Sequence, residues 1–427
     1  MKRYSLLLLL FVTTNAQVYY SGLIRPLTMN RLSVNSQISL PFRIAELEVG
    51  FSKGDLDFKT SSAVEFRWTG GDPKLDFREV YLIWYPSWGE VKLGKQIHAW
   101  GAVDGNNPTD NLNPYDFYYM FLPGADRKIG TLSAAAKYYW NDWQIEAVVI
   151  PNFEGNRFTF DEPDFPISQS TELFDPRDHM QEVPSNVEYG LNLKTTIGNS
   201  DLGLSYFSGR DRTFTFGGYN NTDEPSIDLP PIFPEFCYRK TTMLGADFVS
   251  FIGEITFRGE AGYFLTENDY SYDYKNGLDA SYLQYALQLE YITANDYIIT
   301  GQIIGSDILS LEGQVYDPIN GWEMFIPRDV TENDFHQGMG TPFAMFTDLG
   351  MFVSATGNYL DNALEIRLNS FMDLKDKQSM LGGGFSYSPV DNLKLELSIT
   401  KFMGEEGTQF NEMEDFSHLS LGVKYSF

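Results

Sequence analysis

The chain has 427 residues and a formal net charge of −27, with 31 basic against 58 acidic side chains. This acidity disfavours a nucleic acid as partner, and the single cysteine, Cys237, excludes an intramolecular disulfide. Mean hydropathy is −0.27, although 43% of the residues are hydrophobic and 15% are aromatic. Apolar residues that alternate with polar ones produce this combination, so their placement is more informative than their number.

The first sixteen residues have the pattern of a secretory signal peptide. Lys2 and Arg3 precede an apolar stretch at 6–12, and cleavage is expected after Ala16. The apolar stretch is shorter than the ~20 residues that a membrane-spanning helix needs. We therefore expect an exported mature chain, 17–427, that forms one domain.

Segments in which apolar and polar residues alternate recur along the mature chain. Their alternation and the turn residues between them predict strands and hairpins. In chain order these are strands at 31–40 and 44–52 joined by a tight turn at Leu40-Pro41-Phe42, hairpins of 129–140 with 142–151, 186–197 with 201–209, 281–293 with 297–306 and 376–388 with 393–403, and a last strand at 419–427. The whole count is about 16–18 strands.

The connections between these strands alternate between short and long. Short turns fall near 86–88, 141, 199, 251, 295, 360 and 390, and long connections cover about 99–128, 152–185, 210–236, 266–280 and 308–342. Most of the 20 prolines lie in or beside the long connections, as expected because proline cannot donate to a β-ladder. The asymmetry predicts an all-β fold: a transmembrane antiparallel β-barrel of the outer membrane, with short periplasmic turns and long extracellular loops.

The most distinctive stretch is 93–116, which reads LGKQIHAWGAVDGNNPTDNLNPYD. Its Gly94-Lys95-Gln96, Trp100-Gly101 and Asn107-Pro108-Thr109-Asp110 elements resemble a pattern found in a family of Gram-negative outer-membrane barrels. In that family a strand reading G-[RK]-Q runs into W-G and then N-P. Its members are porin-like proteins of unknown function, some of them thought to accompany lipid-type exporters. The resemblance implies a barrel of the outer membrane with a role in transport.

The same stretch supplies most of the candidate functional residues. Asp, Asn, Gly and Pro favour tight turns that bond their own backbone, so we predict a rigid loop that folds into the barrel mouth and narrows a pore. An ordered external cap is the alternative. The pore-lining or constriction residues that we predict are Arg67, Arg78, Lys92, Gln96, His98, Trp100, Asp104, Asn106, Asn107, Asp110, Glu146 and Arg258.

Oxygen-bearing side chains in this loop also suggest a cation site. Asp104, Asn106 and Asp110, with Asn113, offer the ligands that calcium prefers. Their spacing is not that of an EF-hand, so turn chemistry without a metal is the favoured interpretation. We predict no metal and no other cofactor.

The sequence favours a porin-like channel for passive diffusion of small solutes, with or without substrate selectivity. Two alternatives stay open: a barrel that moves hydrophobic or lipid-like substrates alongside an inner-membrane exporter, and a surface enzyme or adhesin. The four histidines stand in no catalytic pattern, so no enzymatic activity is predicted. The expected partners are outer-membrane lipid, lipopolysaccharide and an unidentified small solute, and a homotrimer is left open.

Overall fold

The computed structural model describes residues 17–34, 36–122, 124–160, 162–165, 175–221, 232–319 and 324–427. The predicted signal peptide, 1–16, lies outside the described residues. In chain order the strands are Gln17–Ile24 (β1), Leu27–Arg31 (β2), Gln37–Ile38 (β3), Phe42–Lys53 (β4), Leu56–Phe66 (β5), Lys74–Trp84 (β6), Gly89–Gln96 (β7), Thr131–Trp140 (β8), Trp143–Ile150 (β9), Glu188–Ile197 (β10), Ser200–Arg210 (β11), Thr215–Asn221 (β12), Ile232–Cys237 (β13), Lys240–Ile252 (β14), Ile255–Glu267 (β15), Tyr274–Lys275 (β16), Asp279–Ile292 (β17), Ile298–Glu312 (β18), Gln314–Ile319 (β19), Met324–Asp329 (β20), Leu349–Tyr359 (β21), Leu364–Asp373 (β22), Ser379–Val390 (β23), Leu393–Met403 (β24) and His418–Ser426 (β25).

Helical structure in the described residues is limited to single turns. They are one α-helical turn, Gln409–Glu412 (α1), and the 3₁₀ turns Phe117–Tyr119, Gly124–Arg127, Glu332–Asp334, Pro342–Met345 and Glu414–Phe416. Within the described ranges, no helix has the length and apolar character needed to cross a bilayer.

Twenty of the strands belong to one closed antiparallel sheet. β1 and β2 form a single wall strand bent at Arg25-Pro26, and β3 and β4 form a second one, interrupted at 39–41, so the sheet has 18 wall strands. β25 closes the barrel by pairing with the first wall strand, from Leu23 opposite Ser426 to Arg31 opposite His418. The predicted fold class is confirmed, at the upper end of the predicted strand count.

The two ends of the barrel differ as predicted. At the short-turn end, the wall strands are joined at 54–55, 85–88, 141–142, 198–199, 253–254, 293–297, 360–363 and 391–392. At the long-loop end, the longest connections are 97–130, 151–187, 211–239, 268–278, 313–348 and 404–417. Three of these connections carry additional pairing: β12 and β13 of 211–239 form a three-stranded sheet with β16 of 268–278, and β19 pairs with β20 within 313–348.

The prediction was wrong at the start of the barrel. We predicted a strand at 31–40 and a tight turn at Leu40-Pro41-Phe42, but residues 32–36 form the connection, and Pro41 interrupts a wall strand. Pro41 cannot donate to the ladder, and the wall accommodates it because the chain leaves the ladder at this point. The residues before 31, which we did not assign, supply the first wall strand.

Alternation puts apolar residues on the outside of the barrel. Leu191, Leu204, Leu289 and Leu368 are among the exposed large side chains of the wall. A belt of exposed aromatic residues lies near the short-turn end, at Trp84, Trp88, Tyr138, Trp140, Trp143, Tyr291, Tyr359, Tyr387 and Tyr425. An apolar band flanked by aromatic residues is the surface that a transmembrane barrel presents to lipid.

The wall requires glycine at position 94, in the G-K-Q element, because of the backbone conformation and the close approach of β6. Its φ of +137° is open to glycine but strained for other residues, and a Cβ there would lie 2.3 Å from the Val80 carbonyl oxygen on β6. We expect Gly94→Ala to lower the free energy of unfolding by about 1–3 kcal/mol, measured by urea unfolding in detergent.

Gly301→Ala is the matched control, because Gly301 also lies inside a wall strand, β18, and a Cβ there has no neighbour within 4 Å. Equal stability of the two variants would contradict the requirement for glycine at position 94.

Candidate functional site

The connection between β7 and β8 folds into the barrel and reaches the far wall. Its residues 101–109 contact inward-facing side chains of β15, β17 and β18, several wall strands away from β7. A part of the connection between β18 and β21 binds Asn106 and Asn111 of the same loop. We call these two segments, 97–116 and 336–341, the lumen plug.

The Glu260 carboxylate is the centre of the contact between the lumen plug and the wall. Its side chain is on β15 and only 3% of the residue is exposed. Oε1 accepts from the Thr109 amide (2.8 Å) and hydroxyl (2.6 Å), and Oε2 accepts from the amides of Ala102 (2.9 Å) and Val103 (3.4 Å) and from Asn107 Nδ2 (3.1 Å). Five uncharged donors therefore converge on one buried carboxylate, and such charge-assisted bonds are stronger than neutral ones.

Three inward-facing glutamines extend this contact along the wall. Gln288 on β17 accepts from the Asp104 amide (2.8 Å) and donates to the Asp104 carboxylate (2.6 Å). Gln302 on β18 accepts from Asn106 Nδ2 (2.7 Å). Gln284 on β17 binds the other segment of the plug, accepting from the Thr341 amide (2.9 Å). An amide side chain both donates and accepts, so each glutamine can satisfy loop groups of either kind.

The Trp100-Gly101 pair has a physical explanation in these contacts. Trp100 is 4% exposed and its indole donates to Glu146 Oε2 (3.1 Å). Gly101 has a φ of +90°, and a Cβ there would lie 2.4 Å from Glu260 Oε2. Gly101 therefore permits both the turn and the close approach of the backbone to the carboxylate.

The base of the plug is fixed by a second set of polar contacts. The Asn113 side chain accepts from the His98 amide (2.6 Å) and donates to the carbonyls of Gln96 and Ile129 (both 3.0 Å). Asp110 and Lys128 form a buried ion pair with 2.5 Å between carboxylate and ammonium. The ends of the loop are thus held together while its middle crosses the lumen.

The two segments of the plug also bind each other. Asn111 Oδ1 accepts from the Gly340 amide (3.0 Å), and the Thr341 hydroxyl donates to Asn106 Oδ1 (3.0 Å). Arg212 joins them to the wall, because it pairs with the buried Glu188 on β10 (2.8 Å) and donates to the Leu112 carbonyl (2.9 Å). The lumen is therefore crossed by one connected polar structure.

Nine of the twelve predicted site residues lie in the lumen plug or next to it on the wall: Gln96, His98, Trp100, Asp104, Asn106, Asn107, Asp110, Glu146 and Arg258. The other three have partners elsewhere: Lys92 pairs with Glu90 (2.9 Å), Arg67 with Glu162 (2.6 Å) and Arg78 with Asp126 (3.2 Å). His98 and Trp100 are buried within the packed loop. The Asp104 side chain, paired with Arg258 at 2.9 Å, stays 63% exposed.

The suggested calcium ligands do not converge. Asp104 binds Arg258 and Gln288, Asn106 binds Gln302 and Thr341, and Asp110 binds Lys128. Across the described ranges there is no cluster of three or more His, Cys, Asp or Glu side chains that could hold a metal ion.

Sequence reasoning missed the residues that receive the loop. Glu260, Gln288 and Gln302 lie more than 150 positions after the loop residues that they bind, and nothing local to 93–116 identifies them as its partners. Gln284, which binds Thr341 in the other segment of the plug, was missed as well. The available signal was the inward side of β15 and β17, where a carboxylate and two amides lie on the polar side of the alternation.

This barrel fold is similar to that of bacterial outer-membrane proteins of known structure. The structure is similar to OccK2 (OpdF) of Pseudomonas aeruginosa (TM-score 0.54, 10% identity, 96% of this chain and 97% of that chain covered). It is also similar to a BenF-like porin of Pseudomonas fluorescens Pf-5 (0.53, 9%, 96% and 98%) and to OpdK of Pseudomonas aeruginosa (0.52, 9%, 96% and 99%).

Residues 74–427 match the model of a family described as "Protein of unknown function (DUF1302)", and the chain belongs to that family. No curated protein matches the sequence.

Removal of the Glu260 carboxylate tests its role in holding the plug. Glu260→Ala leaves five donors without their acceptor, so we expect a loss of about 2 kcal/mol or more in the free energy of unfolding. We also expect much faster hydrogen exchange at the Ala102 and Thr109 amides. Glu254→Ala, an exposed position in the turn that leads into β15, is the control, and unchanged exchange in Glu260→Ala would contradict the role.

His98 makes the stability of the loop depend on pH. Burial, and then repulsion from Lys128, lowers the pKa of His98 from 6.5 to about 3. Below pH 6.5 the unfolded chain binds a proton that the folded chain does not, so this contribution to stability is lost as the pH falls. We expect a loss of about 1–2 kcal/mol between pH 6.5 and pH 5.

The measurement is urea unfolding of the wild type and of His98→Gln at several pH values. His98→Gln has no imidazole to protonate, so its free energy of unfolding should fall less steeply than that of the wild type over this range. Equal slopes would show that His98 is not buried in its neutral form.

Proposed function

We propose that the protein is an outer-membrane channel that lets small solutes diffuse through its lumen, with the lumen plug as the constriction. The long-loop end faces the outside of the cell, the short-turn end faces the periplasm, and outer-membrane lipid covers the apolar outer surface. The proposal requires no catalytic group and no energy source.

The observation that carries the proposal is the attachment of the 97–116 loop to the opposite wall. A loop held by Glu260, Gln288 and Gln302 limits the open cross-section at a fixed depth, because each contact is a hydrogen bond to a strand of the rigid barrel. A barrel of this strand number would otherwise leave an aqueous lumen.

The lumen has exposed charge on the plug itself and on the wall toward the short-turn end. Asp104 and Arg258 form their ion pair with 63% and 23% of their side chains exposed. Glu365 and Arg367 on β22 are 30% and 56% exposed and alternate with the outward-facing Leu368. A solute that enters from the short-turn end therefore meets both signs of charge before it reaches the plug, as in channels that select by charged side chains.

Single-channel conductance in planar bilayers tests the proposal. Deletion of residues 103–113 removes the contacts to Gln288 and Gln302 and four of the five hydrogen bonds to Glu260, so conductance should rise several-fold. Glu260→Ala should give a smaller increase, or frequent transitions between conductance levels, because only the central contact is lost.

Glu254→Ala controls for the loss of a carboxylate on the same hairpin and should conduct like the wild type. A deletion variant that folds, closes normally and conducts like the wild type would refute the plug as the constriction. Absence of conductance in every variant would refute the channel itself.

A further inference from the structure

The backbone ladder between the first two wall strands is interrupted. Pairing of β1 with β4 ends at Ile24 opposite Ala45, and pairing of β2 with β3 resumes at Met29 opposite Ile38. Between these points one backbone bond, from the Arg25 amide to the Ile44 carbonyl, connects the two strands. The wall therefore has a break at residues 26–28 of the first strand and 39–43 of the second.

A tryptophan side chain closes this break. The indole Nε1 of Trp68 donates to the Leu27 carbonyl (2.5 Å), an oxygen that points toward the interrupted strand. The Trp68 ring packs against Phe66 and Phe42, with 5.3 and 5.9 Å between ring centroids. A side chain can change rotamer without the separation of two strands, so this part of the wall opens more easily than a paired ladder.

The interrupted segment is held inward by polar side chains. The Ser39 amide donates to Asp164 (3.0 Å), and the Ser39 carbonyl accepts from Arg67 (3.4 Å). Asp164 in turn binds Arg31 (2.6 Å). Backbone groups that leave a ladder inside a membrane must find other partners, and here they have them, so the break is a stable feature of the fold.

Both sides of the break are apolar. On the inside, Ile38 and Leu40 belong to a buried cluster with Phe402, Phe410 and Met413. On the outside, a groove of about 540 Å³ is lined mainly by apolar atoms and also reaches the inward-facing Glu396 and Gly422. The apolar residues around its mouth include Pro26, Leu27, Trp68, Leu397, Leu421 and Val423.

We propose that the break is a lateral passage by which molecules with an acyl chain move between the apolar cluster inside the barrel and the lipid around it. Trp68 is the closing element. The passage differs from the route along the lumen in both direction and cargo, so it goes beyond the proposed channel and does not depend on it.

The chemistry of the cargo follows from the surfaces it would contact. The outer groove adjoins outward-facing leucines of β24 and β25 that lie against acyl chains, and the inner cluster is composed of aromatic, aliphatic and methionine side chains. A charged or sugar-like solute would lose its hydration at both surfaces. A flexible hydrocarbon chain would contact mainly apolar atoms at both surfaces.

Photolabelling from the bilayer tests the passage. The protein is reconstituted in phosphatidylcholine vesicles that contain a diazirine-labelled fatty acid, irradiated, and digested for mass spectrometry. In the wild type we expect label at the outer groove and, at lower yield, at Ile38, Leu40 and Phe410. In Trp68→Ala the yield at these inner residues should rise several-fold.

Two further variants make the test specific. Trp68→Phe keeps a ring but loses the bond to the Leu27 carbonyl, so the inner labelling should rise less than in Trp68→Ala. Trp84→Ala removes an outward-facing tryptophan of matching exposure (46% against 45% for Trp68) at the other end of the barrel, and it should label like the wild type.

Label confined to outward-facing residues in all four proteins would overturn the proposal and leave the groove as a lipid-contact surface. An equal rise in Trp68→Ala and Trp84→Ala would also overturn it, because the effect would then be general loosening. The conductance of Trp68→Ala measures the lumen route independently, so failure of the channel and failure of the lateral passage are distinguishable.

Discussion

One buried carboxylate determines how the lumen of this barrel is filled. Glu260 accepts five hydrogen bonds from a loop that begins on a distant strand, and the glutamines beside it bind the same loop and its neighbour. A carboxylate without such donors would be unstable at this depth, and loop amides without the carboxylate would be unsatisfied. The carboxylate and the loop amides therefore stabilise each other, and the plug is held in one position.

Two ion pairs outside the plug hold it at the long-loop end. Arg212 with Glu188 and Arg239 with Asp211 are almost fully buried, at 2.8 and 2.9 Å, and the two arginines donate to the carbonyls of Leu112 and His336 in the plug. Buried pairs contribute less to stability than their distances suggest, because both ions lose their hydration. Breaking one leaves an uncompensated charge, so these pairs make the arrangement of the loops specific more than they make the barrel stable.

The wall strands could be predicted from the sequence because the alternation of apolar and polar residues is a local pattern. Alternation with a period of two and turn residues at fixed intervals identified the hairpins of β8 with β9 and β23 with β24, and the lengths of the connections identified the two ends. The rule failed at the first two wall strands, where Pro41 looked like a turn but lies in an interrupted strand. A break that side chains from elsewhere satisfy cannot be recognised from alternation.

The site could be predicted only in part, and for a related reason. The turn-forming residues at 104–113 predicted a rigid loop. The direction in which that loop folds depends on partners such as Glu260 and Gln302, which lie far along the chain. Spacing carries no information about contacts across a closed barrel. The suggested calcium ligands show the same limit, since Asp104, Asn106 and Asp110 each bind a different partner.

The position of the 97–116 loop constrains the order of assembly. The loop starts at β7, but the strands that receive it, β15, β17 and β18, are synthesised later, and β25 must still pair with β1 and β2 to complete the ring. If the barrel closed before the loop entered it, about twenty residues with many polar groups would have to pass through the open end of the barrel. We infer that the loop is enclosed as the sheet curls around it, so that maturation of the barrel and burial of its interior are one event.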